Sequence, residues 1–190
     1  MMHKFLIVLK WSGIILLGAF VILVIARTIY FFKLEKTEEQ VAKIHTTKLT
    51  LADVMGENLP PDPGEAADDT IAGIDANQNG IRDDVELAIF KEYPKSAKTR
   101  APLLQYALVL QMQMTLPVVN KETVTATVEK KSVANICMWY FKDIEEKEKY
   151  IEKLQFNTEE RSEYLENFYE YLGSYSVVEQ GCDIDLATLQ

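Results

Sequence analysis

The chain has 190 residues and carries 29 acidic against 20 basic side chains, which gives a net charge of −9. A chain this acidic repels the phosphates of nucleic acid, so we expect no nucleic-acid partner. Only two histidines and two cysteines are present, which leaves little material for a zinc site or a histidine-based triad. We find no glycine-rich phosphate loop and no catalytic motif, assign no catalytic residue and expect no enzymatic activity.

The first feature along the chain is an apolar segment at residues 5–26, interrupted by Lys10, Ser12 and two glycines. About 22 residues at ~1.5 Å each span a ~30 Å hydrocarbon layer, so we predict one membrane-spanning helix and assign residues 1–32 to a signal anchor. A cleaved signal peptide is the alternative, with Val24-Ile25-Ala26 as its cleavage site. However, the segment is longer than the ~7–15 residues of a usual signal core.

Residues 33–64 are predicted to form a stalk and a linker. The charged part at 33–48 favours a helix with one apolar stripe. From residue 46 to residue 64 the polarity is mixed, and Pro60, Pro61 and Pro63 lie close together, which is typical of a linker.

Residues 75–86 fit the pattern D-x-[DN]-x-[DN]-G-x5-E, which describes a twelve-residue calcium loop. Calcium takes six to eight oxygen ligands, so a short loop must supply one at nearly every second position. Gly80 stands where the chain turns sharply. The predicted ligands are the side chains of Asp75, Asn77 and Asn79, the backbone carbonyl of Ile81, Asp83 directly or through water, and both carboxylate oxygens of Glu86.

A surface turn rich in Asp, Asn and Gly is the alternative interpretation of this segment. Turn propensity does not account for Glu86 at the twelfth position, so we favour Ca²⁺. Only three of the predicted ligands are acids, which predicts weak binding with a Kd of ~10⁻⁴–10⁻³ M. A site of this affinity fills outside the cytosol and stays mostly empty inside it.

The loop resembles that of the EF-hand family and, more loosely, the thrombospondin type 3 repeat. The segment Asp-x-Asn-x-Asn-Gly-x-Arg-Asp-Asp also resembles segments of uncharacterised bacterial envelope proteins, a resemblance that implies no activity. Paired EF-hands have an aliphatic residue at the eighth position, whereas this chain has Arg82. Prolines and Gly73 disfavour a helix before the loop, and no second copy of the loop follows. The resemblance therefore implies a solitary, half EF-hand.

Residues 65–190 are predicted to form a small helical bundle around this loop. Asp83 and Asp84 open a helix that Pro94 ends. The next helix begins at Thr99 and is apolar on nearly every face through residue 116, which places it in the middle of the bundle. The whole protein is thus expected to be all-α: a transmembrane helix plus a bundle with one EF-hand-like loop.

Residues 122–128 are ambiguous, because their alternation favours a strand while the sequence that follows favours a helix. We predict a helix, capped by Asn120, since no partner strand is evident. A further helix is expected over residues 141–155. The last one is predicted to start with Asn157 as its cap and to end at Gly173.

Cys137 and Cys182 are predicted to form a disulfide that fixes the C-terminal tail to the bundle. The alternative is an envelope enzyme or redox protein that uses Cys137 as a thiol, or a cleft of carboxylates. His45 is the only histidine that could assist such a thiol.

The count of lysines and arginines around the span mildly favours a cytoplasmic C-terminal side. The short N-terminus, the cysteine pair and the weak calcium loop favour the opposite orientation. We therefore predict a single-pass protein of the inner or plasma membrane whose C-terminal domain is periplasmic or extracellular. Its expected role is that of a calcium-binding structural or interaction module with an unidentified protein partner. A membrane-assembly subunit that acts independently of calcium is a further alternative.

Overall fold

The computed structural model describes residues 2–177 and 181–189, with side chains from residue 10 onward. All regular elements in these residues are helical, which confirms the all-α prediction. The seven α-helices are α1 Met2–Thr46, α2 Leu51–Met55, α3 Asp83–Glu92, α4 Ala97–Thr115, α5 Lys121–Met138, α6 Ile144–Gln155 and α7 Glu159–Tyr169. Two 3-10 helices, Gly64–Asp68 and Leu186–Thr188, accompany them.

The chain divides into two compact units, Met1–Glu39 and Gln40–Gln190. The first unit lies within α1, which is continuous to Thr46 and so makes most of the predicted stalk helical. Among the described residues this is the one helix long and apolar enough to cross a membrane, and the side chains of its apolar part are exposed. An exposed apolar helix of this length is suited to lipid rather than to water.

Helix α4 lies at the centre of the second unit, where it contacts α2, α3, α5, α6 and α7. Nearly all its side chains are buried, as its uniformly apolar sequence predicts. The helix begins at Ala97, two residues before the predicted start, because the Ser96 side chain accepts a hydrogen bond from the Thr99 N–H. Pro102 consequently lies further inside the helix than expected.

The ambiguous segment at 122–128 is helical and belongs to α5. Asn120 caps this helix as predicted: its side chain accepts a hydrogen bond from the Thr123 N–H. Val124 and Val128 pack against Phe168 of α7, which gives the β-branched residues a buried helical face instead of a partner strand.

The predicted start and end of the last helix are wrong. Thr158, not Asn157, is the N-cap, because its side chain accepts the hydrogen bond from the Arg161 N–H. Asn157 is used elsewhere, as described below. The helix ends at Tyr169, four residues before Gly173. Gly173 instead donates its N–H to the Thr125 hydroxyl of α5.

Part of the segment predicted as linker contributes to the core of the second unit. Leu49 and Val54 are both buried there. Thr50 forms a capping box with Asp53 and starts α2, and Gly56 ends it in the left-handed conformation. Local capping therefore makes a short helix where the prolines and mixed polarity suggested only a connection.

The predicted disulfide between Cys137 and Cys182 is present. It joins the end of α5 to the C-terminal segment, of which Ile184, Leu186 and Leu189 pack against the main core. Both cysteines of the chain are thus oxidised, and neither offers a free thiol. The predicted fixation of the tail is confirmed.

Candidate metal centre

The loop at residues 75–86 begins as a tight coil that Asp75 closes. Its carboxylate accepts hydrogen bonds from the backbone N–H groups of Asn79 (3.1 Å) and Gly80 (2.9 Å). The coil requires left-handed backbone at Gln78 (φ 58°) and at Gly80 (φ 86°). The left-handed backbone favours glycine at residue 80, and a Cβ there would lie 2.7 Å from a methyl group of Leu108, which would have to shift.

Asn77, Asn79 and Glu86 meet on the inner side of this coil. The side-chain nitrogen of Asn77 donates to one carboxylate oxygen of Glu86 at 3.0 Å, and that of Asn79 donates to the other at 3.0 Å. The side-chain oxygen of Asn79 also accepts from the Ile81 N–H at 2.8 Å. The fold thus brings the side chains of the third, fifth and twelfth positions of the predicted site into contact, while Asp75, at the first position, bonds to the backbone of Asn79 and Gly80.

Glu86 is buried, with 1% of its surface exposed, in the first turns of α3. The pKa of its carboxyl is raised to about 7, mainly by burial and to a smaller extent by the nearby Asp53 and Asp83, while the two asparagine amides oppose the shift. No ion pair joins Glu86 to a Lys, Arg or His among the described residues. A buried carboxylate without a cation is costly to ionise.

Ile81 and Asp83 continue the loop into α3. The Ile81 side chain is completely buried in the main core and anchors the loop there. Asp83 is also completely buried, but both its carboxylate oxygens accept from the Ala76 N–H (3.0 and 3.1 Å). Burial raises the pKa of the Asp83 carboxyl. Asp83 therefore holds the start of the loop, whereas Asn77 and Asn79 bond to Glu86.

Arg82, at the eighth position, is fully buried and connects the loop to the end of α6. Its guanidinium donates to the backbone carbonyls of Leu154 (2.6 Å) and Gln155 (3.1 Å) and forms an ion pair with Asp84. The last carbonyls of a helix have no partner within the helix, and a cation there is favourable. The residue that distinguishes this loop from a paired EF-hand is thus used to attach it to the bundle.

Arg161 of α7 holds the segment that precedes the loop. It is fully buried and donates to the carbonyls of Ala67, Thr70 and Ile71, and it pairs with Asp68 at 2.6 Å. Hydrogen bonds from Asn157 and Arg161 lower the pKa of the Asp68 carboxyl. In place of an incoming α-helix, a 3-10 helix and Arg161 fix this side of the loop.

Asn157 joins the two arginines, since its side-chain oxygen accepts from both Arg82 and Arg161. Residues 156–158, which connect α6 to α7, therefore lie between the two sides of the loop. We call this connection the α6–α7 turn. A ligand that holds the loop in one conformation would also restrict this turn, because Arg82 bonds to the end of α6 and to Asn157.

We expect Arg82→Lys to destabilise the protein by about 1–2 kcal/mol, because an ammonium cannot reproduce the fork of bonds to two carbonyls and Asp84. Urea unfolding of the full-length protein in detergent measures this effect. The matched control is Lys95→Arg at an exposed position after α3, which should leave the free energy of unfolding unchanged. A free energy of unfolding that Arg82→Lys does not alter would contradict the role given to these bonds.

Among the described residues there is no group of three or more His, Cys, Asp or Glu side chains that could hold a metal ion by themselves. The cluster at Glu86 consists of that carboxylate and the side-chain amides of Asn77 and Asn79, whereas Asp75 bonds to the backbone of Asn79 and Gly80. The sequence pattern identified these four side chains. It gave no sign of Arg161 or Asn157, because their contacts join segments about 90 residues apart.

An open groove of about 410 Å³ borders the loop. Asp75, Asn79 and Gly80 line one side, and residues near the end of α4, including Leu108 and Met112, line the other. The shape of this groove consequently depends on the conformation of the loop.

No protein-family model matches this chain, and neither curated proteins nor solved structures include a significant match.

Proposed function

We propose that this chain is a membrane-anchored, extracytoplasmic module in which one calcium ion bound at residues 75–86 stabilises the fold for interaction with a protein partner. Asp75, Asn77, Asn79, the Ile81 carbonyl and Glu86 would hold the ion. Asp83 would contribute through water, since its own oxygens bond to Ala76. Calcium would supply positive charge and no chemistry.

The observation that carries this proposal is the environment of Glu86. Its carboxylate is buried and faces two asparagine side chains, with no cation of the described chain paired to it. A bound cation would remove the cost of ionising it. An amide offers nitrogen to a carboxylate and oxygen to a cation, so the same two asparagines suit both states of the site.

The donor set favours calcium over other metals. All the proposed ligands are oxygens, which are preferred by hard cations and not by zinc or copper. A loop that presents ligands at alternate positions accommodates the six to eight ligands of Ca²⁺, whereas Mg²⁺ demands a smaller octahedron and retains its water.

Calcium would restrict the conformation of the α6–α7 turn as well as that of the loop. Arg82 lies inside the loop and bonds to the end of α6, so a fixed loop also fixes the α6–α7 turn. The groove beside Asp75 and Asn79 acquires a defined wall at the same time. These contacts support a structural role for the ion and a partner that recognises the ordered surface.

The proposed location rests on two features. Helix α1 is a candidate membrane anchor. The disulfide between Cys137 and Cys182 is favoured in oxidising compartments such as the periplasm or the extracellular space. Millimolar calcium in such compartments would fill a weak site.

Isothermal titration of the full-length protein in detergent tests the proposal. We expect one calcium ion to bind per chain, with a Kd of ~10⁻⁴–10⁻³ M, and Glu86→Gln to weaken binding by about tenfold or more, a loss of about 1.4 kcal/mol. The control Glu92→Gln changes an exposed carboxylate at the end of the same helix and should bind calcium as the unchanged protein does. Calcium binding that Glu86→Gln leaves intact would overturn the assignment.

A further inference from the structure

Asn79 is followed directly by Gly80, and this is the one Asn-Gly pair in the sequence. In such a pair the glycine nitrogen can attack the side-chain carbonyl carbon of the asparagine. A new C–N bond closes a five-membered succinimide ring, and the side-chain nitrogen leaves as ammonia. Water then opens the ring at either carbonyl and gives aspartate or isoaspartate. Glycine hinders the attack least, because it has no Cβ and its backbone is the most free.

In the folded loop, hydrogen bonds hold each of the groups that take part in this reaction. The Gly80 N–H, which must lose its proton to attack, donates to Asp75 at 2.9 Å. The Asn79 side chain is held at both ends, by the Ile81 N–H at 2.8 Å and by Glu86 at 3.0 Å. The attack therefore requires these bonds to break, which means that it proceeds from an opened loop.

We propose that Asn79 is a site of spontaneous deamidation that bound calcium protects. The protection rests on the proposed function, since calcium would stabilise the closed loop in which Asn79 and Gly80 are held. If only the opened loop reacts, calcium at ten times its Kd lowers the opened fraction, and with it the rate, by about tenfold. The reaction needs no enzyme and no reagent other than water.

The two products have opposite consequences for the site. Aspartate at residue 79 adds a carboxylate at the fifth position of the loop, and a higher ligand charge tightens calcium binding. Isoaspartate inserts a methylene into the backbone between residues 79 and 80. It shifts every later ligand relative to Asp75, so it disrupts the spacing on which the loop depends. A period without calcium would thus convert residue 79 covalently to aspartate or isoaspartate, and the change would persist after calcium returns.

The chain provides its own control for this reaction. Asn77 lies in the same coil and also bonds to Glu86, but Gln78 follows it. A bulky following residue hinders ring closure, so Asn77 should remain intact under conditions in which Asn79 reacts. Asn58, which precedes Leu59, is a second control outside the loop.

The test incubates the full-length protein in detergent at mildly alkaline pH, with chelator or with calcium at ten times its measured Kd. Peptide mass spectrometry follows the conversion of each asparagine, and the melting temperature of each sample is recorded. We expect Asn79 to convert in chelator, about tenfold more slowly in calcium, and Asn77 and Asn58 to remain unchanged. In Glu86→Gln the rate should be the same with chelator and with calcium.

Three results would overturn the inference or its basis. An Asn79 that stays intact in chelator, while a free peptide of residues 75–86 converts, would exclude the site. Equal rates with and without calcium, although calcium raises the melting temperature, would exclude protection but leave calcium binding in place. Equal rates together with an unchanged melting temperature would overturn the proposed calcium binding itself.

Discussion

Replacing Glu86 with glutamine is expected to stabilise the calcium-free protein above neutral pH and to remove its response to calcium. In the folded protein burial raises the pKa of Glu86 to about 7, against an ordinary value of 4.5. A carboxyl shifted in this way costs on the order of 3 kcal/mol of folding free energy at pH 8. The neutral amide of glutamine avoids that cost.

The sign of the pH dependence follows from the raised pKa. Below pH 4.5 Glu86 is protonated in both the folded and the unfolded chain and costs nothing. Between pH 4.5 and about 7 the carboxyl is ionised in the unfolded chain but still protonated in the folded chain, so stability falls across this range and then levels off. In chelator, the contribution of Glu86 alone should therefore make the unchanged protein melt roughly 5–10 °C higher at pH 4.5 than at pH 8.

Differential scanning calorimetry in chelator and in calcium measures both effects. At pH 8, calcium should raise the melting temperature of the unchanged protein. In chelator Glu86→Gln should melt at a higher temperature than the unchanged protein, and calcium should not raise that temperature further. The exposed Glu92→Gln variant should behave as the unchanged protein. A Glu86→Gln variant that melts lower than the unchanged protein in chelator at pH 8 would contradict the account of this carboxyl.

Replacement of both Cys137 and Cys182 by alanine should destabilise the protein by about 4 kcal/mol. The disulfide spans a sequence separation of 45 residues, and the chain-entropy model gives this value for a loop of that length. The bond also keeps Ile184, Leu186 and Leu189 on the main core. Denaturant unfolding of the full-length protein measures the loss.

The control for this prediction is the double replacement Ser174→Ala and Ser176→Ala, at exposed positions of the same C-terminal region, which should leave stability unchanged. Thiol titration of the unchanged protein under denaturing, non-reducing conditions should detect no thiol. A reactive thiol there would favour the alternative in which Cys137 takes part in chemistry.

The sequence predicted those contacts of the loop and of the helices that depend on local spacing. Asn77, Asn79 and Glu86 lie within the twelve-residue loop, so the pattern alone indicated that their side chains meet. Asn120 likewise caps α5 through Thr123, three residues away. The uniformly apolar character of α4 was sufficient to place it at the centre of the bundle.

The remaining features depend on contacts between distant segments. Arg82 stood out because it departs from the paired EF-hand, but its bonds to α6 join residues more than 70 positions apart. Asn157 was expected to cap α7, yet it bonds to Asp68 and to both buried arginines while Thr158 acts as the cap. A side chain with two favourable uses cannot be assigned until its distant neighbours are known.

Amide hydrogen exchange with and without calcium tests most directly whether one ion at Glu86 orders this part of the protein. We predict that calcium slows exchange in residues 75–86 and, through Arg82, at the α6–α7 turn, while the middle of α5 exchanges at the same rate in both conditions. Exchange that is identical in calcium and in chelator throughout residues 65–161 would contradict the account.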